Sequence, residues 1–102
     1  MGLDISLVKK EVLVDMNITH NLTPMWKKAG IYDALYNSEH MEARDILPVL
    51  MDGLADMIAN PKEYSKLNSP NGWGLYENAV PWLSELIIGF KNNPEGVIEV
   101  SR

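Results

Sequence analysis

The chain has no cysteine, which excludes disulfides, thiolate metal sites and cysteine nucleophiles. Histidine is scarce, with only His20 and His40. A zinc ion would need carboxylates from Glu39, Glu42 or Asp45 to join them. There is no phosphate loop of Walker type, no nucleophile turn with a Ser/His/Asp arrangement and no paired-histidine motif. A Glu77–His20 acid/base pair has nothing in its spacing to support it. Long apolar runs are missing too, and the longest falls far short of the ~20 residues a membrane span needs. No basic region precedes an apolar run at the N-terminus, so no signal peptide is expected. Basic charge is thin: the net charge is −5, and lysines occur only as Lys9-Lys10, Lys27-Lys28, Lys62, Lys66 and Lys91. Nucleic acid binding through its backbone needs a basic stripe, so no broad nucleic-acid surface is expected. A pocket for one small anion stays open. Together these absences predict a chain that is not an enzyme, binds no metal or cofactor and does not enter a membrane.

What is present predicts one α+β domain spanning residues 1–102. The apolar fraction of 46% and charged fraction of 23% are those of a folded chain with a core, not of a disordered one. Residues 11–19 end with Val14, Met16 and Ile18 alternating with Asp15 and Asn17. That period of two is a half-buried strand. Ile5 to Val8 reads as a further strand or the early part of this one. Residues 96–102 read as a terminal strand after the turn Asn93-Pro94-Glu95-Gly96. Pairing of the terminal strands into a small antiparallel sheet is the simplest arrangement, since one short strand is not stable alone.

The middle is mostly helical, with about four helices, two of them long. Thr23-Pro24 is an N-cap followed by proline at the first helical position, and Gly30 is a stop. Residues 31–36 add a further helical turn or two. One long helix starts at Asp45 and continues to Ala59, with Leu47, Leu50, Met51, Leu54, Met57 and Ile58 in a stripe. Asn60-Pro61-Lys62-Glu63 reads as another cap. The last long helix runs to about Lys91, with Val80, Leu83, Leu86, Ile87 and Phe90 in its stripe. Asp45-x-x-Pro48-x-Leu50 and Asn78-x-x-Pro81-x-Leu83 lie 33 residues apart, as do Asn60-Pro61 and Asn93-Pro94. Each proline is expected among the N–H groups that lack an intrahelical partner, where it costs little. Two similarly punctuated helices packed together account for this period without a repeat array.

Two short segments stand apart from the rest. Asn17-Ile-Thr-His-Asn-Leu-Thr-Pro-Met-Trp26 and Asn68-Ser-Pro-Asn-Gly-Trp-Gly-Leu-Tyr76 each pack amides, hydroxyls and aromatics ahead of a helix. Asn17, Thr19, His20 and Asn21 occupy a strand end and the loop after it, where free N–H groups favour a phosphate, carboxylate or nucleotide-like group. The same residues could simply cap a helix and satisfy buried backbone, and that reading is preferred for Thr23. In the second segment, Trp73 between two glycines is a candidate stacking face for a base or sugar, with Asn71 and Tyr76 as polar partners. Asn71-Gly72 could equally set a bend while the indole plugs the core. Trp26 and Trp82 are assigned to the core.

Met-Gly-Leu-Asp-Ile at the start, Asn-Ile-Thr-His-Asn-Leu before the first helix, Ala-Gly-Ile-Tyr after it, Asn-Gly-Trp-Gly-x-Tyr-Glu before the last long helix and the terminal Val-Ser-Arg carry a resemblance. In combination they resemble a group of small, uncharacterised phage and prophage proteins over nearly the whole chain. The resemblance implies a viral or prophage accessory protein acting in a bacterial cytoplasm, and it transfers no catalytic residues. The leading expectation is therefore a non-catalytic protein that binds a small polar, nucleotide-type ligand, by analogy with sequestration of a host defence signal. The ligand residues would be Asn17, His20, Asn21, Asn71, Trp73 and Tyr76. The competing expectation is a module that binds a host protein through Trp26, Tyr32, Tyr36 and Met41. A homodimer or higher oligomer fits either, because a small sheet leaves an edge open.

Overall fold

The computed structural model describes residues 2–9 and 11–102. Met1 of the opening motif and Lys10 of the Lys9-Lys10 pair lie outside the described residues. The chain opens with β1 (Gly2–Lys9) and β2 (Glu11–Thr19) and closes with β3 (Val97–Ser101). The sheet order is β2-β1-β3, antiparallel throughout. The terminal strands thus do pair, β1 with β3, while the strand read at 11–19 lies on the other side of β1. Alternation decides which side is buried. Leu3, Ile5 and Leu7 are fully buried, whereas Asp4 between them is exposed. Directly paired residues share a face, so Asp4 stands in a row with Asn17 and Ser101, and Ser6 in a row with Asp15 and Glu99. That end of the outer face is polar, whereas its far end carries the row Val8, Val12 and Val97.

Helices cover the other face. A single 3-10 turn (His20–Leu22) leads into α1 (Thr23–Lys28), followed by α2 (Tyr32–Tyr36). Gly30, at φ +76°, ends α1, so residues 31–36 form a helix of their own and five α-helices stand where about four were expected. The two long ones are α3 (Ala43–Ala59) and α5 (Tyr76–Asn92), with the short α4 (Pro61–Ser65) after α3. α3 and α5 pack on each other and enclose Leu50, Met57, Leu83, Leu86 and Phe90 in one core with Leu3, Ile5, Leu7 and Ile98. A Cβ on Gly89 would lie 2.8 Å from Val14 Cγ2, so the missing side chain lets α5 lie close on β2. No helix among the described residues is long and apolar enough to cross a membrane.

The 33-residue period is real in the fold, but its start is shifted. α3 and α5 are both 17 residues long, and their first residues, last residues and prolines all keep the same offset. Asp45 and Asn78 are each the third residue of a helix, not its cap. The Asp45 carboxylate turns back to accept the Glu42 N–H at 2.9 Å. For α5 the Tyr76 N–H is taken by Asn68 Oδ1 at 2.7 Å, from eight residues upstream. Pro48 and Pro81 therefore lie inside their helices, where each leaves a carbonyl four residues back without its usual donor. The ends match as well. Asn60 Nδ2 donates to Asp56 O at 3.0 Å and Asn93 Nδ2 to Gly89 O at 2.9 Å, with near-identical backbone angles at the two asparagines.

Candidate functional site

The two unusual segments meet. The first is carried by the end of β2 and the 3-10 turn. The Asn21 N–H donates to Thr19 Oγ1 at 3.2 Å, and the Thr23 hydroxyl donates to His20 O at 2.6 Å. Thr23 is the first residue of α1 and gives it no side-chain cap; Thr19 instead caps the 3-10 turn. The strand end is pinned from behind by the Trp82 indole, whose Nε1–H donates to Asn17 O at 2.9 Å.

The second segment is a loop held by its own polar groups. Asn71 Oδ1 accepts from the Ser69 hydroxyl at 2.7 Å and from the Trp73 N–H at 2.9 Å. The Ser69 N–H donates to Gly74 O at 3.1 Å and the Gly72 N–H to Ser69 O at 3.2 Å. Gly74 is buried and brings this loop onto the first segment. A Cβ there would lie 2.7 Å from Asn21 Cβ and 2.9 Å from Asn21 C. Its φ of +117° is also one that a residue with a side chain rarely adopts.

Between the segments lies a hollow of about 660 Å³, lined by Gly2, Asp4, Asn17, Ile18, Thr19, His20, Asn21, Asn71 and Trp73. That volume is within the range of small-molecule sites. Five of the six candidate residues, Asn17, His20, Asn21, Asn71 and Trp73, share it. Tyr76 does not: its hydroxyl donates to Met57 O at 2.6 Å, which ties α5 to α3, and its ring stacks near Tyr64. Trp73 is 69% exposed, a large aromatic face left in solvent. Asn71 holds that face with its amide oxygen, so its remaining polar capacity is the Nδ2 donor pair.

His20 is half-buried and paired inward. Its Nδ1 lies 2.9 Å from the Tyr36 hydroxyl, and the two rings are tilted at 5.5 Å. Tyr36 also stacks on Tyr32 at 4.5 Å, and the Arg102 guanidinium lies over its ring. Burial raises the Tyr36 phenol above its ordinary range. With Nδ1 engaged by that hydroxyl, Nε2 is the remaining polar atom of the His20 ring.

The sequence reading missed Asp4. It is the single charged residue in the lining, and no lysine or arginine lines the hollow among the described residues. α1, at six residues with Leu22 at its N-cap position, adds no side-chain cap. The arrangement therefore suits hydrogen-bond donors and flat rings better than phosphate. Asp4 could have been found by extending the Leu3-Asp4-Ile5 alternation back from Val8. Among the described residues no group of three or more His, Asp or Glu side chains gathers where it could hold a metal ion.

The protein-interaction anchors fare differently. Trp26 and Tyr36 are 0% and 4% exposed, and Trp26 packs at 5.7 Å from Trp82. Tyr32 is half-buried, and of the four only Met41 is exposed. They form no contiguous surface patch. No protein-family model matches the chain, nor does any curated protein or solved structure.

Proposed function

We propose that this chain binds a small polar ligand, without catalysis, in the hollow between the end of β2 and the Asn71–Gly74 loop. The ligand class best suited to it carries a planar ring, such as the base of a nucleotide-type molecule, stacked on Trp73 and hydrogen-bonded by Asn17, His20, Asn21 and Asn71. The motif resemblance to phage and prophage proteins adds the setting: an accessory protein in a bacterial cytoplasm that sequesters a host signal. The observation that carries the reading is the contact of Gly74 with Asn21, which joins two polar segments far apart in sequence around one space. The Asn71 amide is already held by its own loop, so it loses little freedom when a ligand arrives.

Native mass spectrometry after incubation with a bacterial small-molecule extract tests the proposal. A discrete added mass on the wild-type chain, absent from a folded Trp73→Ala variant, is expected. A chain that retains nothing, or a variant that retains the same mass, removes the site. Binding of a host protein through Trp26, Tyr32, Tyr36 and Met41 has less support, since two of the four are buried.

A further inference from the structure

Resting on that reading, we infer what the hollow selects: a flat group that presents two adjacent N–H donors, accepted by the Asp4 carboxylate while the plane stacks on Trp73. Guanine bases and guanidinium groups share this edge. Asp4 sits on the central strand, on the face turned away from the core, in one row with Asn17. Among the described residues it has no ion pair and no side-chain hydrogen bond, unlike Glu95, whose carboxylate is paired with Lys9. An ionised carboxylate can only accept, and its two oxygens match two parallel N–H groups in one plane.

The neighbours narrow the choice. Asn71 Oδ1 is occupied by Ser69 and Trp73, so that side chain offers donors to the ligand's acceptors. His20 has its Nδ1 on the Tyr36 hydroxyl, so only its other ring nitrogen remains for a ligand. On the strand side the side-chain acceptors are the Asp4 carboxylate, the Asn17 amide and the Thr19 hydroxyl, and of these only Asp4 is charged. A phosphate in the hollow would meet the Asp4 carboxylate with no lysine or arginine among the described lining residues. The recognised part of the ligand is therefore the ring edge rather than a phosphate.

Guanosine and agmatine are the two probes, one for each source of the edge, and adenosine is the control because its base lacks the paired donors. Each is titrated by calorimetry and by quenching of tryptophan emission into wild type, Asp4→Asn and Trp73→Phe. Circular dichroism verifies folding, which a substitution at exposed Asp4 should not disturb. The inference expects guanosine or agmatine to bind wild type, with adenosine at least about tenfold weaker. Asp4→Asn should weaken the bound probe by roughly tenfold to a hundredfold, the usual effect of losing a charge-assisted pair of hydrogen bonds. Binding of guanosine alone identifies the base as the source, and agmatine alone the guanidinium. The inference is overturned if neither probe binds, if Asp4→Asn binds as well as wild type, or if adenosine equals guanosine. Adenosine binding that depends on Trp73 but not on Asp4 would overturn it while leaving the ligand-binding proposal standing. An empty result with the metabolite extract would instead bring down that proposal itself.

Discussion

Trp26 and Trp82 are buried while Trp73 stands in solvent, so one indole can be removed without touching the core. Trp73→Ala should change unfolding free energy by no more than about 0.5 kcal/mol. It should also weaken binding of any ligand retained in native mass spectrometry by about 1–3 kcal/mol, the usual contribution of a stacked base. Calorimetry on the folded variant measures the second quantity, and an unchanged affinity removes the stacking role. The two glycines beside it make a sharper pair. Both have positive φ, but nothing lies within 4 Å of a Cβ on Gly72, whereas one on Gly74 meets the Asn21 backbone. Gly72→Ala should therefore cost about 1–2 kcal/mol of backbone strain alone. Gly74→Ala should cost clearly more in urea unfolding and should separate the two walls of the hollow. Equal costs would mean that Gly74 does not dock the loop. Residue types in the sequence marked the two segments that meet at the hollow, but not which of their polar atoms remain available. Asn71 and Tyr76 look alike as donors and acceptors in the chain, and only the neighbours Ser69 and Met57 separate them.

The elements were legible where a local pattern controls them and misplaced where a distant group does. The stripe of α5, the break at Gly30 and the period of two in β2 all follow from residues within a few positions, whereas in α3 Met51 and Ile58 of the expected stripe are exposed and Ile46 and Gly53 are buried instead. The start of α5 does not, because its cap is Asn68 across a loop. Pro81 thus interrupts the helical ladder instead of sitting at its free end, and Pro48 does the same in α3, whose start is set locally by the Asp45 carboxylate on the Glu42 N–H. Pro48 is exposed, so Pro48→Ala should restore one hydrogen bond without disturbing the core. A gain of about 1–2 kcal/mol in chemical denaturation is expected after allowing for the unfolded-state entropy that proline removes. A loss of stability would show that the interruption shapes α3 for its packing on α5. The matched helix ends give a companion test. Asn60→Ala and Asn93→Ala each delete an amide hydrogen bond to a carbonyl of the last turn, although Asp56 O also accepts the Asn60 N–H. Both should cost about 0.5–1.5 kcal/mol, and a large inequality would break the structural parallel between the two helices.

At the scale of the whole molecule, the charges exposed on the surface contribute little to stability. Lys9 and Glu95 pair at 2.9 Å but are both 58% exposed, and such pairs are screened by salt. The buried phenols matter more. Tyr64 is fully buried; burial first, and then its hydrogen bond to Asp56 Oδ2, push its pKa above the ordinary 10.0. Tyr36 is shifted the same way by burial. A phenol in the unfolded chain ionises near pH 10, before the native one does. The stability linked to these groups is therefore intact below about pH 10 and falls as pH rises toward the native pKa values. Thermal melts from pH 8 to 11 should show this decline, and Tyr64→Phe should flatten it while lowering stability at pH 8. An unchanged slope in that variant would show that Tyr64 is not the group responsible.

The amino-acid sequence alone determined the class of fold, the amphipathic stripe of α5, the 33-residue spacing of two helices and the two segments where a site could form. These depend on side-chain period and on turn chemistry, which act over a few residues. The tertiary structure decided that the two segments share one hollow, that Asp4 enters it and Tyr76 leaves it, and that Trp26 and Tyr36 are buried. Those outcomes depend on which backbones can approach, as Gly74 does against Asn21, and contact between residues some fifty positions apart has no signature in the local pattern of the chain.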